Sequence, residues 1–317
     1  MDTGPVLISV LMPAYNCEAY VRRAVDSVLS QTHTRWELLV ADDRSADRTR
    51  KIIDGYADPR IKRFHNEKNL GYLQTWNKLA ELAAGTYITF QDADDYGEPD
   101  RLALLADFLD RHPGTGAVGS NVSFVDTENK KTGESDFAPD GTTILASMPQ
   151  TYHFTGSALM IRKTVYDDLG GYHPFFDRRG AEDHYWAYRI AEKYGIANLR
   201  ETLYSYRFNP KSVSGNLADN PDKLFIEQIL QKLITQRRET GTDWLQSGRR
   251  DDAEACLLEY SRGFRENPSE FYAALGRRRF YEGRRKMGLS LFARAIARAP
   301  FSLRLYKDFI YLLRKSI

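Results

Sequence analysis

The sequence predicts an α/β domain of the doubly wound kind, followed by a helical region that begins near Leu217. Three observations lead there. Short apolar runs rich in β-branched residues alternate with segments of helical spacing through the first hundred residues. Three of those runs end in polar or acidic loops: Pro13-Ala14-Tyr15-Asn16, Asp42-Asp43 and Asp92-Ala93-Asp94. Past Leu217 the strand pattern stops and arginine clusters begin. Ligands of doubly wound sheets bind beyond the carboxyl ends of the strands, so loops converging there mark a candidate site.

The elements follow in order. Val6 to Met12 is apolar without alternation, as a central parallel strand buried on both faces requires. Pro13 ends it. From Glu18 to Ser30 apolar residues fall at Val21, Ala24, Val25, Val28 and Leu29, which is helical spacing. Trp36 to Ala41 is a second buried strand and runs into Asp42-Asp43-Arg44-Ser45-Ala46-Asp47. One of the two leading aspartates is expected to cap the helix that continues to about Tyr56. Ile61 to Phe64 is a short strand, and Leu73 to Ala84 is a helix. Thr86 to Phe90 is a strand that meets Gln91 and then three carboxylates in four positions, Asp92, Asp94 and Asp95. Carboxylates this close repel and resist burial unless a cation sits among them or water covers them. A helix over Asp100 to Leu109 ends at Pro113-Gly114, and a strand over Gly116 to Val125 follows. The polar, glycine-containing stretch 126–149 suggests no element. Asp183 to Tyr194 reads as a helix with Trp186 and Ile190 on one side.

Composition narrows the classes. The 317 residues suffice for a large domain and a smaller one, here divided as 1–216 and 217–317. A net charge of +2 gives no global field for nucleic acid. No apolar run reaches the length of a membrane span. Two distant cysteines, Cys17 and Cys256, and an N-terminus without a basic leader point to a reducing, cytoplasmic setting.

Four motifs in this order resemble the family 2 glycosyltransferases of the GT-A fold: Pro13-Ala14-Tyr15-Asn16, Asp42 to Asp47, Asn69-Leu70-Gly71 and Asp92-Ala93-Asp94-Asp95. The resemblance covers about residues 5–215. It implies a Rossmann-like, mostly parallel sheet and an inverting transfer from a nucleotide-diphosphate sugar, usually a UDP-sugar, with manganese or magnesium. Asp94 and Asp92 would hold the metal, which bridges carboxylates to a diphosphate they would otherwise repel. The donor contacts it implies are Pro13, Ala14, Tyr15, Asn16, Glu18, Asp42, Asp43, Asn69, Gly71, Asn77, Gln91, Asp92 and Ala93. The strand from His153 to Ile161 would border the acceptor. Glu182-Asp183 resembles the family's catalytic pair, with Asp183 as the base and Glu182 in support. Tyr204 to Ser214 resembles the closing loop, where Arg207 and Lys211 would contact the diphosphate. Many members carry histidine where this chain has Asn209, which leaves a third metal ligand open. The Gln-x-x-Arg-Trp element of processive polymerases is absent, so one sugar per encounter is expected on a glycan or lipid-linked acceptor in cell-surface polysaccharide synthesis. The competing reading is a non-catalytic scaffold.

The C-terminal third has helical spacing throughout. Tyr260, Gly263 and Pro268 repeat as Phe292, Ala295 and Pro300, and the segments resemble tetratricopeptide hairpins. Such hairpins imply a protein partner or self-association. Basic clusters around an apolar face from Tyr306 to Leu313 suggest peripheral docking on an anionic membrane face.

Overall fold

The computed structural model describes residues 4–209, 220–281 and 283–316, without the side chain of Ser316. It divides into two compact units, Met1–Pro210 and Lys211–Ile317. The described residues of the first unit form one sheet of nine strands: β1 (Ile8–Ala14), β2 (Trp36–Asp42), β3 (Ile61–His65), β4 (Tyr87–Phe90), β5 (Tyr96–Gly97), β6 (Ala117–Val125), β7 (Lys131–Glu134), β8 (Met160–Arg162) and β9 (Ile196–Arg207). Their order is β3-β2-β1-β4-β8-β6-β9-β5, with β7 paired to β6 off this path. The helices of this unit are α1 (Val21–Leu29), α2 (Thr49–Asp54), α3 (Tyr72–Glu81), α4 (Arg101–Arg111), α5 (Gly141–Ser147), α6 (Lys163–Leu169) and α7 (Glu182–Tyr194).

β1 and β2 are buried over their full length, which explains why their sequences are apolar apart from Ser9, Glu37 and Asp42. The strands β3, β2, β1 and β4 are mutually parallel. The chain moves outward from β1 to β3, then returns to place β4 on the other flank of β1. This reversal opens a crevice at the strand ends. Register sets Ala14 opposite Asp42 and Leu11 opposite Phe90, so the loops after β1, β2 and β4 emerge side by side. Beyond β4 the sheet is mixed. β8 runs antiparallel to β4 and β6, β9 is parallel to β6, and β5 is antiparallel to β9.

Three sequence expectations are revised. The stretch 126–149 holds two elements, β7 and α5. The sequence of β7 is Lys-Thr-Gly-Glu and is mostly exposed, so no apolar period announces it. Asp140 caps α5 by accepting from the N–H of Thr143 at 2.8 Å. The strand expected over His153 to Ile161 is reduced to β8, because Gly156–Ala158 turn as a 3₁₀ helix. Tyr204 to Arg207, expected in a loop, complete β9.

An aromatic cluster ties the site-bearing elements together. Trp76 of α3 stacks on Tyr172 at 4.1 Å and meets Phe90 at 5.0 Å and Trp186 of α7 at 5.4 Å. All four rings are buried. Burying each is worth about 2–3 kcal/mol. That gain offsets the cost of gathering carboxylates two residues after Phe90 and three before Trp186.

The second unit holds α8 (Ile226–Thr240), α9 (Arg250–Glu266), α10 (Pro268–Tyr281), α11 (Arg285–Arg298) and α12 (Leu303–Ser316). α10 and α11 approach through two glycines. A methyl group at Gly276 would lie 2.9 Å from the Gly288 carbonyl, and one at Gly288 would lie 2.7 Å from that of Gly276. Among the described residues no helix is long and apolar enough to cross a membrane.

Candidate active site

The loops after β1 and β2 are latched into one piece. Asp43 N–H donates to Ala14 O at 2.8 Å, Asn16 N–H to Ser45 Oγ at 2.9 Å, and Ala46 N–H to Asn16 Oδ1 at 2.8 Å. Asn16 takes a left-handed φ of 48°, which asparagine tolerates. Pro13 and Ala14 lie within the buried end of β1, and Tyr15 beside them presents a 52% exposed ring. Glu18 serves the latch as well, since its Oε2 accepts from Arg48 N and Nε, both at 3.0 Å.

The two adjacent aspartates divide their work. Asp43 accepts from Asn66 Nδ2 at 2.9 Å and from the N–H groups of Leu70 and Gly71 at 2.8 Å each. Its carbonyl takes Asn69 Nδ2 at 3.1 Å. Asp43 is therefore the peg on which the Asn69-Leu70-Gly71 loop hangs. Asp42 is buried beside it, yet among the described residues its carboxylate oxygens meet only Ser45 N–H, at 3.4 Å. That distance is too long to satisfy a carboxylate.

Asp92, Ala93, Asp94 and Asp95 form the turn after β4. Burial, and next the charge of Asp94, push the Asp92 carboxyl up to about 7. Its Oδ1 is buried and has no hydrogen-bond partner. Burial raises Asp94 too, opposed by Asn209, whose Nδ2 donates to Asp94 Oδ2 at 3.0 Å. Asp95 is fully inside. It accepts the Arg207 N–H at 2.6 Å, while burial and then its two neighbours hold it well above the carboxylate range. Ala93 is buried between them. Gln91 is also buried, with its amide 3.4 Å from Asp92 O and 3.5 Å from Arg101 Nη1.

Two arginines fix this turn. Arg101 is buried, and its Nη2 donates to Thr89 Oγ1, Phe90 O and Ser157 O at 2.8–2.9 Å. Arg207, expected at the diphosphate, instead turns inward. Its Nε donates to Asp94 O at 2.6 Å, Nη1 to Asp126 O at 2.7 Å and Nη2 to Asn129 Oδ1 at 2.6 Å. Three protein acceptors hold the guanidinium, so it positions the Asp94 turn. Lys211, the other expected diphosphate contact, lies outside the described residues, as do Ser212 and Ser214.

Glu182 and Asp183 open α7 after a left-handed Ala181 at φ 66°. Burial, and then Asp183, push the Glu182 carboxyl up to about 8. Asp183 Oδ1 accepts the His184 N–H at 2.9 Å, and its Oδ2 faces Gly156, where a methyl group would stand only 2.7 Å away. Asp183 is close enough to Asp92 to raise it further, so the two carboxylate groups share one site. Asn77, expected at the donor, spends both ends of its amide on the backbone of Tyr172, at 2.8 Å each. It pins the loop before α7. From the same loop Arg178 reaches Asn69 Oδ1 at 3.1 Å, linking this side to the Asp43 peg.

These carboxylates fit a divalent cation. Asp92 carries an orphaned oxygen, and burial first and the charge of Asp94 second raise its carboxyl, as expected of a buried donor set lacking its counter-charge. Among the described residues no three His, Cys, Asp or Glu side chains form a ready-made ion site. An ion held by one or two carboxylates and completed by substrate oxygens suits magnesium or manganese. Sequence reading missed Arg101, Gly156, Asn66 and Tyr204, whose hydroxyl accepts the Asp92 N–H at 3.1 Å. Arg101 left one signal: it sits beside Leu102 and Leu105, on an otherwise apolar helix face.

Comparison with known proteins fits this geometry. Glycosyl transferase family 2 matches residues 9–170. The Bacillus subtilis (strain 168) protein EpsE, named as a glycosyltransferase, is 33% identical over 217 residues, covering 65% of this chain and 74% of its own. The Escherichia coli protein WfgD, named a UDP-Glc:α-D-GlcNAc-diphosphoundecaprenol β-1,3-glucosyltransferase, is 40% identical over 119 residues. That match covers 38% of this chain and 44% of WfgD, so the chain spans less than half of that relative. The crystal structure of S. aureus TarS 1–349 in complex with UDP-GlcNAc superposes with a TM-score of 0.59 at 20% identity, covering 98% of this chain and 92% of that one. At that identity the likeness concerns the fold.

Proposed function

The chain belongs to glycosyl transferase family 2, and on that premise we propose that it moves one sugar, with inversion, from a UDP-sugar to a hydroxyl of a glycan or lipid-linked acceptor in polysaccharide synthesis. It is a glycosyltransferase. The observation that carries the finer reading is Asp92, whose orphaned Oδ1 sits in a site shared with Asp94 on one side and the Glu182–Asp183 pair on the other. The names of WfgD and of the TarS complex support a uridine-diphosphate donor, and that of WfgD a lipid-linked acceptor.

In this reading Asp42 accepts from the nucleotide base, and the Tyr15 ring covers it. Asp43 holds the Asn69–Gly71 loop against the donor. Asp94 and Asp92 would hold a magnesium or manganese ion, which supplies positive charge to the diphosphate as it leaves. Arg207, Arg101 and Asn209 fix the turn on which those carboxylates stand. Asp183 takes the proton of the acceptor hydroxyl. That oxygen bonds to the anomeric carbon from the face opposite the diphosphate, and the carbon–oxygen bond to the diphosphate breaks. Holding acceptor and donor in this line supplies much of the rate. Tetratricopeptide-like packing of the second unit belongs to the same proposal and provides a surface for a partner or a second copy.

The test is a screen of nucleotide sugars for nucleotide release and thermal stabilisation, with manganese or with chelator, in wild type and Asp94→Ala. Release that needs metal and disappears in the variant supports the reading. Asp94→Ala binding donor with the wild-type metal dependence would remove Asp94 from the site.

A further inference from the structure

The positive charge of this chain is concentrated in one place. Between Arg277 and Lys315 there are twelve lysines and arginines against two acidic residues, although the whole chain carries only +2. The last helix of that segment, α12, is apolar on two faces. Leu305 and Leu312 are buried, and Phe309 packs with them against Phe292 of α11. A second apolar stripe needs a different explanation. Leu303, Tyr306, Ile310 and Leu313 follow helical spacing along one flank and are 77%, 41%, 48% and 38% exposed. Phe301, in the turn just before, is 96% exposed.

Charge surrounds this stripe on one side. Lys307 and Arg314 are seven residues apart and therefore share one line of the helix, next to Leu303 and Ile310. The single acid of α12, Asp308, is turned toward Arg277 of α10, which it meets at 2.8 Å. Arg304 is tied to Glu270 of α10. Among the described residues no acid meets Lys307 or Arg314, and the helix's own acid faces away. A protein core would not place lysine and arginine beside its contact stripe without acids to meet them. A surface rich in lipid phosphates would.

We propose that this flank of α12 docks on an anionic lipid bilayer. Leu303, Tyr306, Ile310 and Leu313 enter the headgroup region with Phe301 at their end, and Lys307 and Arg314 meet the lipid phosphates. The tyrosine suits the interface because its ring is apolar and its hydroxyl stays wet.

Co-sedimentation of the full chain with phosphatidylcholine vesicles, with and without phosphatidylglycerol, tests this. Wild type should pellet with the anionic vesicles at least about tenfold more than with the neutral ones, and high salt should reduce the difference. Lys307→Glu with Arg314→Glu should abolish the preference. Tyr306→Ser with Ile310→Ser should lower binding to anionic vesicles, with circular dichroism confirming that the helices of each variant persist. Equal pelleting on both vesicle types, or wild-type binding by the charge-reversed pair, overturns the proposal. So does a concentration-dependent dimer that Tyr306→Ser with Ile310→Ser dissociates while no vesicle binds wild type, because a second copy would then cover the stripe.

Discussion

Gly156 lies directly against the carboxylate of Asp183. A methyl group on Gly156 would stand 2.7 Å from Oδ2 and 2.8 Å from Cβ of that residue. Contacts this short do not persist, so one of the two must move. Rotating the carboxylate would leave the Cβ contact in place, so the start of α7 or the Gly156 turn must shift, and the Asp183 carboxylate shifts with it. Gly156→Ala should therefore lower turnover by about 10²-fold, the cost of an ångström-scale misplacement. Donor affinity should hold, because Asp42, Asp43 and the Asp92 turn lie on other loops. Turnover and donor titration of the variant check this, and wild-type turnover would mean that the Asp183 carboxylate needs no fixed position.

The two aspartates after β2 should separate in experiment. Asp43→Ala leaves the N–H groups of Leu70 and Gly71 without their acceptor and removes one acceptor from the Asn66 amide. Hydrogen bonds to a charged group are worth about 1.5–3 kcal/mol, so a loss of about 3 kcal/mol in stability is expected. Among the described residues the Asp42 carboxylate accepts only the Ser45 N–H, at 3.4 Å, and Asp42→Ala should cost less stability but weaken nucleotide binding. Chemical denaturation beside a UDP titration distinguishes them. Equal destabilisation by both would remove the division of labour.

Glu182 makes stability depend on pH. Its carboxyl rises from an ordinary 4.5 to about 8 in the folded chain, by burial first and the Asp183 charge second. The folded state therefore binds more protons than the unfolded one across that window. Stability must fall as pH rises from 4.5 to 8, with the full penalty present only above 8. The size is on the order of a few kcal/mol. Asp92, raised by burial from 3.8 to about 7, lowers stability with rising pH in the same way. Melting temperatures without metal should be higher at pH 5 than at pH 8, and Glu182→Gln should flatten the slope. Manganese with UDP should stabilise more at pH 8, where the carboxylates are charged. A melting temperature that rises from pH 5 to pH 8 would contradict the sign.

The sequence made the first half of the fold legible because β1, β2 and β4 are buried on both faces and declare themselves as apolar runs. The acidic turn and the Glu182–Asp183 pair were legible as chemistry, since carboxylates in series are costly without a purpose. Two kinds of feature were not. β7 and α5 are held by partners elsewhere in the chain and lack a pattern of their own. The partners of each polar group could not be read either. Arg207 and Asn77 have the right residue types for a donor contact, but their groups turn to Asp94 O and to Tyr172. Gly156 carries no chemistry at all, and its importance exists only where Asp183 comes to rest.

Glu182→Gln and Asp183→Asn should separate the member of the pair that takes the proton from its neighbour. Glu182 holds its own proton through much of the neutral range, because burial and Asp183 push it up to about 8. A protonated carboxyl is close to an amide in shape and, like it, is neutral with one donating and one accepting end, so Glu182→Gln should keep most of the activity. Asp183 is bonded through Oδ1 to the His184 N–H, which leaves Oδ2 for the acceptor hydroxyl. Asp183→Asn preserves that shape and removes the proton acceptor. Turnover should fall by roughly 10²- to 10⁴-fold, the usual span for general-base catalysis, and the acidic limb of the pH–rate profile should vanish. Donor affinity should change little, which distinguishes a lost base from a damaged site. If Glu182→Gln is the inactive variant and Asp183→Asn the active one, the base moves one residue back along α7. If both remain active, neither carboxylate deprotonates the acceptor, and the transfer chemistry assigned to this helix start is wrong.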